Sequence, residues 1–243
     1  MKFHSQLVAA LFLVTALHAE PFRIYFAGEM FDHKHLAGNV MLAQAIEKAS
    51  NGQLSCNLPQ DQAGQLSSRA YARNLCIKDL IEADVALFNF DGTDLDSGTV
   101  AEFMLAKMLD IPAVIVRTDF RSAGDFNDKD PEQWNLMCSG YPRTAIVTCH
   151  SLACYRSHGL NALIDIIAHE IINATQHAIA QPSLSTQPAH LHALYAHVLH
   201  ACGSQVDRCM TAKQLQSTIE SKIARGIYYD KVTADEPILV SNY

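Results

Sequence analysis

The sequence predicts an α/β protein with a doubly wound, flavodoxin- or Rossmann-like sheet of five parallel strands and a C-terminal helical appendage. Three observations favour this fold. Short apolar runs alternate with helical patterns from residue 22 to about 178, short turns join most of them, and 243 residues suffice to bury such a sheet. Because crossovers between parallel strands are right-handed, helices then cover both faces.

Five segments are predicted as strands, and the second is weaker than the others. They are FRIYFAG (22–28), the segment near 54–58, VALFNF (85–90), PAVIVRT (112–118) and TAIVTC (144–149). Helices are predicted between and after them, over 36–49, 65–82, 98–109 and 159–176. Ligands of a doubly wound sheet bind at the carboxyl ends of the strands, so the site is expected there.

Beyond the α/β domain, predicted over 20–178, the composition changes. AIAQPSLSTQPAH is rich in Pro, Ser and Gln and predicts a linker over 179–189. The rest, 190–243, is predicted as a helical extension. Its histidines are interpreted as solvated or packed rather than metal-binding, because no Asp or Glu accompanies them at ligand spacing; they are His190, His192, His197 and His200.

The first 19 residues have the layout of a secretory signal peptide. Lys2 gives a basic start, an apolar run follows from Leu7 to Leu17, and Ala19 is a small residue suited to cleavage. The run is too short to span a bilayer comfortably, so no stable membrane insertion is expected. An exported protein, periplasmic or secreted, is predicted, or a cytoplasmic one if the segment is not used. A first core strand or buried helix is less favoured, since FRIYFAG already supplies the first strand.

The net charge and the number of cysteines limit which partners and which disulfides are expected. The net charge is −7 and no basic run interleaves with aromatics, so a nucleic-acid partner is not expected. Seven cysteines are an odd number, which leaves at least one thiol free or paired between chains in an oxidising compartment. Cys202 and Cys209 flank a predicted turn and are the first candidates for a disulfide.

The segment LFNFDGTDLDSGTVAEFMLAK (87–107) concentrates carboxylates at one junction between a strand and a helix. Glu102 lies in the first turns of that helix, whose N–H groups and dipole are expected to favour its ionised, nucleophilic form. Asp96 either caps the helix or faces the crevice. Gly98 lets a ligand approach closely because it has no Cβ. Asp91 has no settled role, and Asp94 is interpreted as a solvated turn residue.

A carboxylate nucleophile beside further acids suits cleavage of a glycosidic bond through an oxocarbenium-like transition state. The sequence lacks the GxSxG elbow, the phosphate-binding GxxxxGK[ST] loop and the dinucleotide glycine pattern. Mg²⁺ bound by the acids, as in a phosphoryl-transfer site, remains an alternative.

These segments together resemble the nucleoside 2-deoxyribosyltransferase family. The resemblance covers about residues 22–158 and rests on the ordered set IYFAGEMF, LPQD, ADVALFNFDGTDLDSGTVAEFMLAK, IPAVIVRTDFR and NLM. It implies a retaining double displacement on 2-deoxyribonucleosides, with free nucleobases as the second partner. No cofactor or metal is implied.

The resemblance also implies roles for individual residues. Glu102 matches the nucleophile that forms a covalent 2-deoxyribosyl ester, Tyr25 the residue that positions it, and Asp96 an acid of the nucleoside pocket. The other matched or neighbouring pocket positions are Gln60, Cys76, Asp79, Asp91, Gly98, Asn135 and Met137. Of these, Asn135 and Met137 match residues that a neighbouring subunit supplies, so the resemblance implies a homo-oligomer with sites completed across subunits.

One departure concerns protonation of the departing base. Cys76 stands where the family usually has an Asp, and a thiol is a weak donor. Protonation would therefore fall to Asp96, Asp91 or Asp79, or it would be impaired. The alternatives to base exchange are hydrolysis of deoxynucleosides or deoxynucleoside 5′-monophosphates, and a non-catalytic nucleoside-binding module.

Overall fold

The computed structural model describes residues 20–61, 68–119, 135–203 and 209–228. Its centre is a parallel five-stranded sheet in the order β2-β1-β3-β4-β5, which confirms the predicted doubly wound α/β fold. The strands are β1 Phe22–Gly28, β2 Leu54–Asn57, β3 Val85–Asn89, β4 Ala113–Arg117 and β5 Thr144–Thr148. The order reverses between β1 and β3, and their carboxyl ends therefore form the crevice where such sheets bind ligands.

Seven α-helices lie within the described residues. They are α1 His33–Ala49, α2 Arg69–Glu82, α3 Ser97–Met108, α4 Ser151–His158, α5 Leu160–Ile179, α6 Pro188–Ala201 and α7 Ala212–Ala224. A short 3₁₀ helix, Leu136–Cys138, precedes β5. Helices α1 and α5 pack against each other on one side of the sheet, and α2 contacts α3 on the other.

Capping side chains account for the differences between the predicted and observed helix starts. Helix α1 begins three residues before the predicted start because the Asp32 carboxylate accepts from the N–H groups of Lys34 and His35. Helix α2 begins after Ser68, whose hydroxyl accepts from Tyr71 N–H. The earlier part of the predicted α2, from 65 to 67, lies outside the described residues.

The sequence missed α4, a short helix with no buried residue and therefore without a clear apolar stripe. Gly159 separates it from α5 with φ +81°, a backbone conformation that favours glycine. Helix α5 extends to Ile179, past its predicted end, because Ala178 and Ile179 are buried. The domain and linker boundaries proposed from composition stay predictions.

The C-terminal extension forms a helical pair, α6 and α7, as predicted. This pair and the residues after it contact the amino ends of β1, β3, β4 and β5. Arg225 donates to the carbonyl of Pro21 and pairs with Asp84 at 3.1 Å, and the Tyr228 hydroxyl donates to Leu109 O at 3.1 Å. The extension therefore lies at the sheet edge opposite the carboxyl ends of the strands.

Buried polar groups join the extension to the sheet. Arg143, which is fully buried, donates to the carbonyl and the carboxylate of Asp110 and to the carbonyl of Ile227. The buried Lys222 ammonium donates to the Tyr195 hydroxyl at 3.2 Å, and burial lowers the Lys222 pKa to about 7. These contacts fix the extension through directed hydrogen bonds as well as apolar packing.

All seven cysteines lie in the described residues and are free thiols. The predicted disulfide between Cys202 and Cys209 is therefore not formed. Cys202 ends α6, where its carbonyl accepts from Arg73 of α2 at 3.0 Å, so this end of α6 is held by α2.

The predicted signal segment, 1–19, lies outside the described residues. Within them, none of the helices has the length and apolar character needed to cross a membrane.

Candidate active site

Strand β1 and helix α3 bring Tyr25 and Glu102 together. Tyr25 lies in the middle of β1, where its side chain is fully buried, and its hydroxyl donates to Glu102 Oε1 at 2.8 Å. Glu102 is the sixth residue of α3. The two residues are far apart in the sequence, and the pairing of β1 with β3 places them at one crevice.

The Glu102 carboxyl is poised differently from the sequence-based expectation. Burial raises its pKa to about 7, the Tyr25 hydrogen bond opposes this shift, and the Asp96 charge adds to it. The prediction that the helix start favours the ionised form is therefore wrong, because burial disfavours the charged carboxylate more than its surroundings stabilise it. Glu102 lies in the second turn of α3, whereas the effect of a helix dipole fades within the first. Near neutral pH the group populates both protonation states.

Asp96 caps α3, and its charge acts on the Glu102 carboxyl. Its Oδ2 atom accepts from the N–H of Thr99 at 2.7 Å and from the Thr99 hydroxyl at 2.8 Å. A Cβ at position 98 would lie 3.1 Å from the same oxygen, so Gly98 makes room for this cap. The predicted cap is therefore present, and a position facing the crevice stays a prediction.

Helix α2 carries Cys76 and Asp79, and the two side chains have different partners. The Cys76 thiol is hydrogen-bonded to the Tyr25 hydroxyl, and burial followed by the Glu102 charge raises the Cys76 pKa. Asp79, one turn later, is hydrogen-bonded to Asn57 of β2, and burial raises its pKa. Cys76 is therefore part of the Tyr25 and Glu102 cluster, whereas Asp79 lies beside β2.

Asp91 holds the ends of β3 and β4 together. Its Oδ2 accepts from the Thr118 hydroxyl at 2.6 Å, and its Oδ1 accepts from the N–H groups of Thr118 and Asp119. Both oxygens are thus engaged in shaping the edge of the sheet. Asp94, interpreted from sequence as a solvated turn residue, is exposed.

Sequence reasoning missed Arg117 at the same edge. This residue is buried and donates to the carbonyl of Phe90 at 2.6 Å and to that of Gly92 at 3.2 Å. Arg117 therefore fixes the turn that leads to Asp96. The sequence predicts Arg117 only as the end of an apolar strand. A single basic residue at that position does not indicate that it binds the neighbouring turn.

Gln60 lies between the end of β2 and helix α1. Its amide donates to Leu36 O at 3.2 Å and accepts from Asn39 Nδ2 at 3.4 Å. Asn39, which is buried, also donates to the carbonyl of Glu29 at the end of β1. Gln60 is therefore at the predicted edge, in contact with α1.

Asn135 caps the 3₁₀ helix, and Met137 lies within it. Asn135 Oδ1 accepts from the N–H groups of Met137 and Cys138, so the amide shapes this turn. The side chains of Leu136 and Met137 are 73% and 72% exposed, whereas Cys138 is buried. The turn thus displays two large apolar side chains on the surface of the single chain.

The cluster can present a carboxylate, held by a tyrosine, to an electrophilic carbon in a buried setting. Within residues 20–61, 68–119, 135–203 and 209–228, no group of three or more His, Cys, Asp or Glu is placed to hold a metal ion. The acidic residues between 91 and 102 instead contact different partners: Asp91 binds Thr118, Asp96 binds Thr99 and Glu102 binds Tyr25. They therefore do not form a single acidic cluster.

Comparison with known proteins adds a family match. The family model described as "Nucleoside 2-deoxyribosyltransferase" matches residues 24–137. Comparison of the sequence with curated proteins finds no match.

Solved structures similar to this chain include three proteins from different organisms. A conserved protein from Enterococcus faecalis V583 shares 22% identity at a TM-score of 0.45 over 62% of this chain and 99% of its own. A 2-deoxyribosyltransferase from Bacillus psychrosaccharolyticus shares 16% sequence identity at a TM-score of 0.40, and the match covers 58% of this chain and 95% of that protein. A 2-desoxiribosyltransferase from Leishmania mexicana shares 21% sequence identity at a TM-score of 0.40, and the match covers 58% of this chain and all of that protein.

Proposed function

The α/β domain of this chain, matched over residues 24–137, belongs to the nucleoside 2-deoxyribosyltransferase family, and on that basis we propose that the chain transfers 2-deoxyribosyl groups between purine or pyrimidine bases. The observation that carries the proposal is the hydrogen bond of 2.8 Å between the buried Tyr25 hydroxyl and Glu102 Oε1. A tyrosine that donates to one oxygen fixes the carboxylate and leaves its other oxygen to react.

The first step is attack of the ionised Glu102 carboxylate on the anomeric carbon of the bound nucleoside. A new bond from carbon to the Glu102 oxygen forms, the N-glycosidic bond breaks, and the departing base takes up a proton. The second base then attacks the same carbon, gives its N–H proton to the group that protonated the first base, and releases the Glu102 carboxylate. Two inversions at one carbon give net retention.

Asp96 is the proposed source of the proton for the departing base, a step that requires the Asp96 carboxyl to be protonated while Glu102 is ionised. Its charge reaches Glu102, and its cap to Thr99 holds it at the start of α3. Cys76 hydrogen-bonds Tyr25, and a thiol is a weak donor. Asp79 is hydrogen-bonded to Asn57 and Asp91 clamps Thr118, which makes Asp96 the best placed of the three candidate acids.

Incubation of the chain with deoxyinosine and adenine tests the proposal. We expect hypoxanthine and deoxyadenosine to appear together, since the enzyme-bound sugar is captured by adenine. Omission of adenine is the control. Loss of deoxyinosine without formation of deoxyadenosine would contradict base exchange and support hydrolysis, in which water replaces the second base.

Cys76 favours a second candidate function, that of a non-catalytic nucleoside-binding module. The family usually carries an acid at this position, and here a thiol contacts Tyr25. A chain that binds deoxyinosine but converts none of it, with or without adenine, would support the module and exclude both enzymatic readings.

Tyr25→Phe tests how Glu102 is positioned. Loss of the hydroxyl removes a hydrogen bond to a charged group, so we expect turnover to fall by about 10- to 100-fold. Because this bond lowers the Glu102 pKa, the inflection of the rate against pH should also move above about 7. The rate of base exchange measured across pH tests both effects.

Tyr155→Phe is the matched control, since Tyr155 lies on α4 with half of its surface exposed. This variant should keep the wild-type rate and pH profile. An unshifted profile in Tyr25→Phe would remove Tyr25 from the mechanism.

Assembly and location belong to the same proposal. The exposed Leu136 and Met137 beside Asn135 support a homo-oligomer in which this turn closes a neighbouring site, because two large apolar side chains on one turn gain from burial. The apolar segment at 7–17 supports export, periplasmic or secreted.

A further inference from the structure

Two cysteines occupy the positions on either side of the start of α4. His150 is the N-cap of this helix, and its Nδ1 accepts from Ala153 N–H at 3.2 Å. Cys149 immediately precedes the cap, and Cys154 lies on the first turn, where its N–H donates to His150 O at 3.0 Å. Residues at these two positions of a capped helix pack against each other and fix the direction of the entering chain.

The thiol of Cys149 interacts with that of Cys154, as their positions on either side of the cap allow. Burial raises the Cys149 pKa, and the charge and hydrogen bond of the Cys154 thiol raise it further. On its other side, Cys154 Sγ lies 3.9 Å from His158 Nδ1. The same nitrogen lies 3.3 Å from Cys154 O, to which it donates when it carries the ring proton. In the tautomer with the proton on Nε2, Nδ1 can instead accept the thiol proton and so generate the reactive thiolate.

Exposure separates this pair from Cys138, the one buried cysteine of the seven, whereas the other four cysteines are also partly exposed. Cys149 and Cys154 are partly exposed, so a soluble reagent can reach them. Cys138 is only 2% exposed, and burial raises the Cys56 pKa to about 12. The pair thus combines contact, access and a neighbouring base.

We propose that Cys149 and Cys154 are a redox pair that forms a reversible disulfide across the first turn of α4. In the presence of a small-molecule disulfide such as oxidised glutathione, the Cys154 thiolate attacks one sulfur and releases one glutathione thiolate. The Cys149 thiolate then attacks Cys154 Sγ and releases the second. Two protein thiols become one disulfide, and one glutathione disulfide becomes two thiols.

The disulfide would secure a turn at the same sheet edge as Asp91. The Cys149 N–H donates to Arg117 O at 3.1 Å, and the Ser151 N–H donates to Thr118 O at 3.2 Å. Thr118 in turn holds the Asp91 carboxylate. The redox state of the pair therefore acts on the end of β4 and does not depend on the proposed reaction.

Mass spectrometry after oxidation tests the proposal. The full chain is incubated with oxidised glutathione, quenched in acid, alkylated with N-ethylmaleimide and digested with trypsin. Both cysteines fall in the tryptic peptide Thr144 to Arg156. We expect this peptide to be unalkylated and lighter by two hydrogen atoms, with alkylated thiols falling from the seven of the reduced chain by two.

Variants separate this disulfide from other products. Cys154→Ser should leave Cys149 open to alkylation or to a single glutathione adduct, and His158→Gln should slow the oxidation several-fold at neutral pH. Cys202→Ser is the control and should still lose the two thiols. Full alkylation of the peptide, glutathione adducts alone, or loss of thiols at Cys202 and Cys209 would each overturn the proposal.

Discussion

Glu102→Gln should lower base exchange by at least about 10³-fold, because removal of a nucleophile leaves only binding and positioning to accelerate the reaction. The amide keeps an oxygen that can accept from the Tyr25 hydroxyl, so the side chain stays in place while the reactive carboxylate is lost. Intact-mass measurement after brief incubation with deoxyinosine should show a 2-deoxyribosyl adduct on the wild type and none on the variant.

The wild-type rate should also depend on the ionisation of Glu102. Its pKa of about 7 means that activity rises with pH and levels off above neutrality, because only the carboxylate attacks. In Glu102→Gln any residual rate should lack this inflection. Initial rates between acidic and mildly alkaline pH measure it.

The same substitution should stabilise the fold at alkaline pH. The folded carboxyl has a pKa of about 7 and the ordinary value is 4.5, so between these values the folded chain binds a proton that the unfolded chain has released. Stability therefore falls as pH rises from about 4.5 to about 7 and stays lower above. At pH 8 Glu102→Gln should recover on the order of 3 kcal/mol in the free energy of unfolding, measured by urea denaturation.

Asp94→Asn is the matched control, because Asp94 belongs to the same acidic segment and its side chain is exposed. It should keep the wild-type rate, pH profile and stability. Adduct formation or unchanged turnover in Glu102→Gln would show that another residue is the nucleophile.

Asp110→Ala should destabilise the protein by roughly 3 to 5 kcal/mol, since it leaves a buried guanidinium without its partner. Arg143 Nη1 lies 3.1 Å from Asp110 Oδ2, and the two side chains are 0% and 2% exposed. The same oxygen accepts from Leu184 N–H at 2.8 Å, so one truncation breaks contacts to β5 and to the segment before α6. Urea unfolding at neutral pH measures the loss.

Two variants isolate the cause. Asp110 has φ +54°, which Asn tolerates better than Ala, so Asp110→Asn removes the charge at a smaller backbone cost and should destabilise less than Asp110→Ala. Glu170→Ala, at an exposed position of α5, should lie within about 0.5 kcal/mol of the wild type. A loss of that small size in Asp110→Ala would show that the buried pair does not hold the extension.

The sequence by itself determined the sheet, because that information is local and repeated. Apolar runs bounded by turns predicted β1, β3, β4 and β5 to within a residue or two, and the alternation with helices predicted the parallel order. Residues at strand ends also pointed to the sheet edge proposed as the site, since parallel strands bring their carboxyl ends together. Glu102 and Asp96 could be singled out because both lie at one junction between a strand and a helix.

Only the tertiary structure decided how those residues are used. The contact of Tyr25 with Glu102 and Cys76 joins three separate elements, and the Glu102 pKa depends on burial that the helix start alone does not reveal. Asp91 stands in the same acidic segment, yet it accepts a hydrogen bond from Thr118, directly after the neighbouring strand β4, and so links the ends of β3 and β4. Position along the chain specifies which atoms are available, whereas burial and partners from distant elements set their charge and their task.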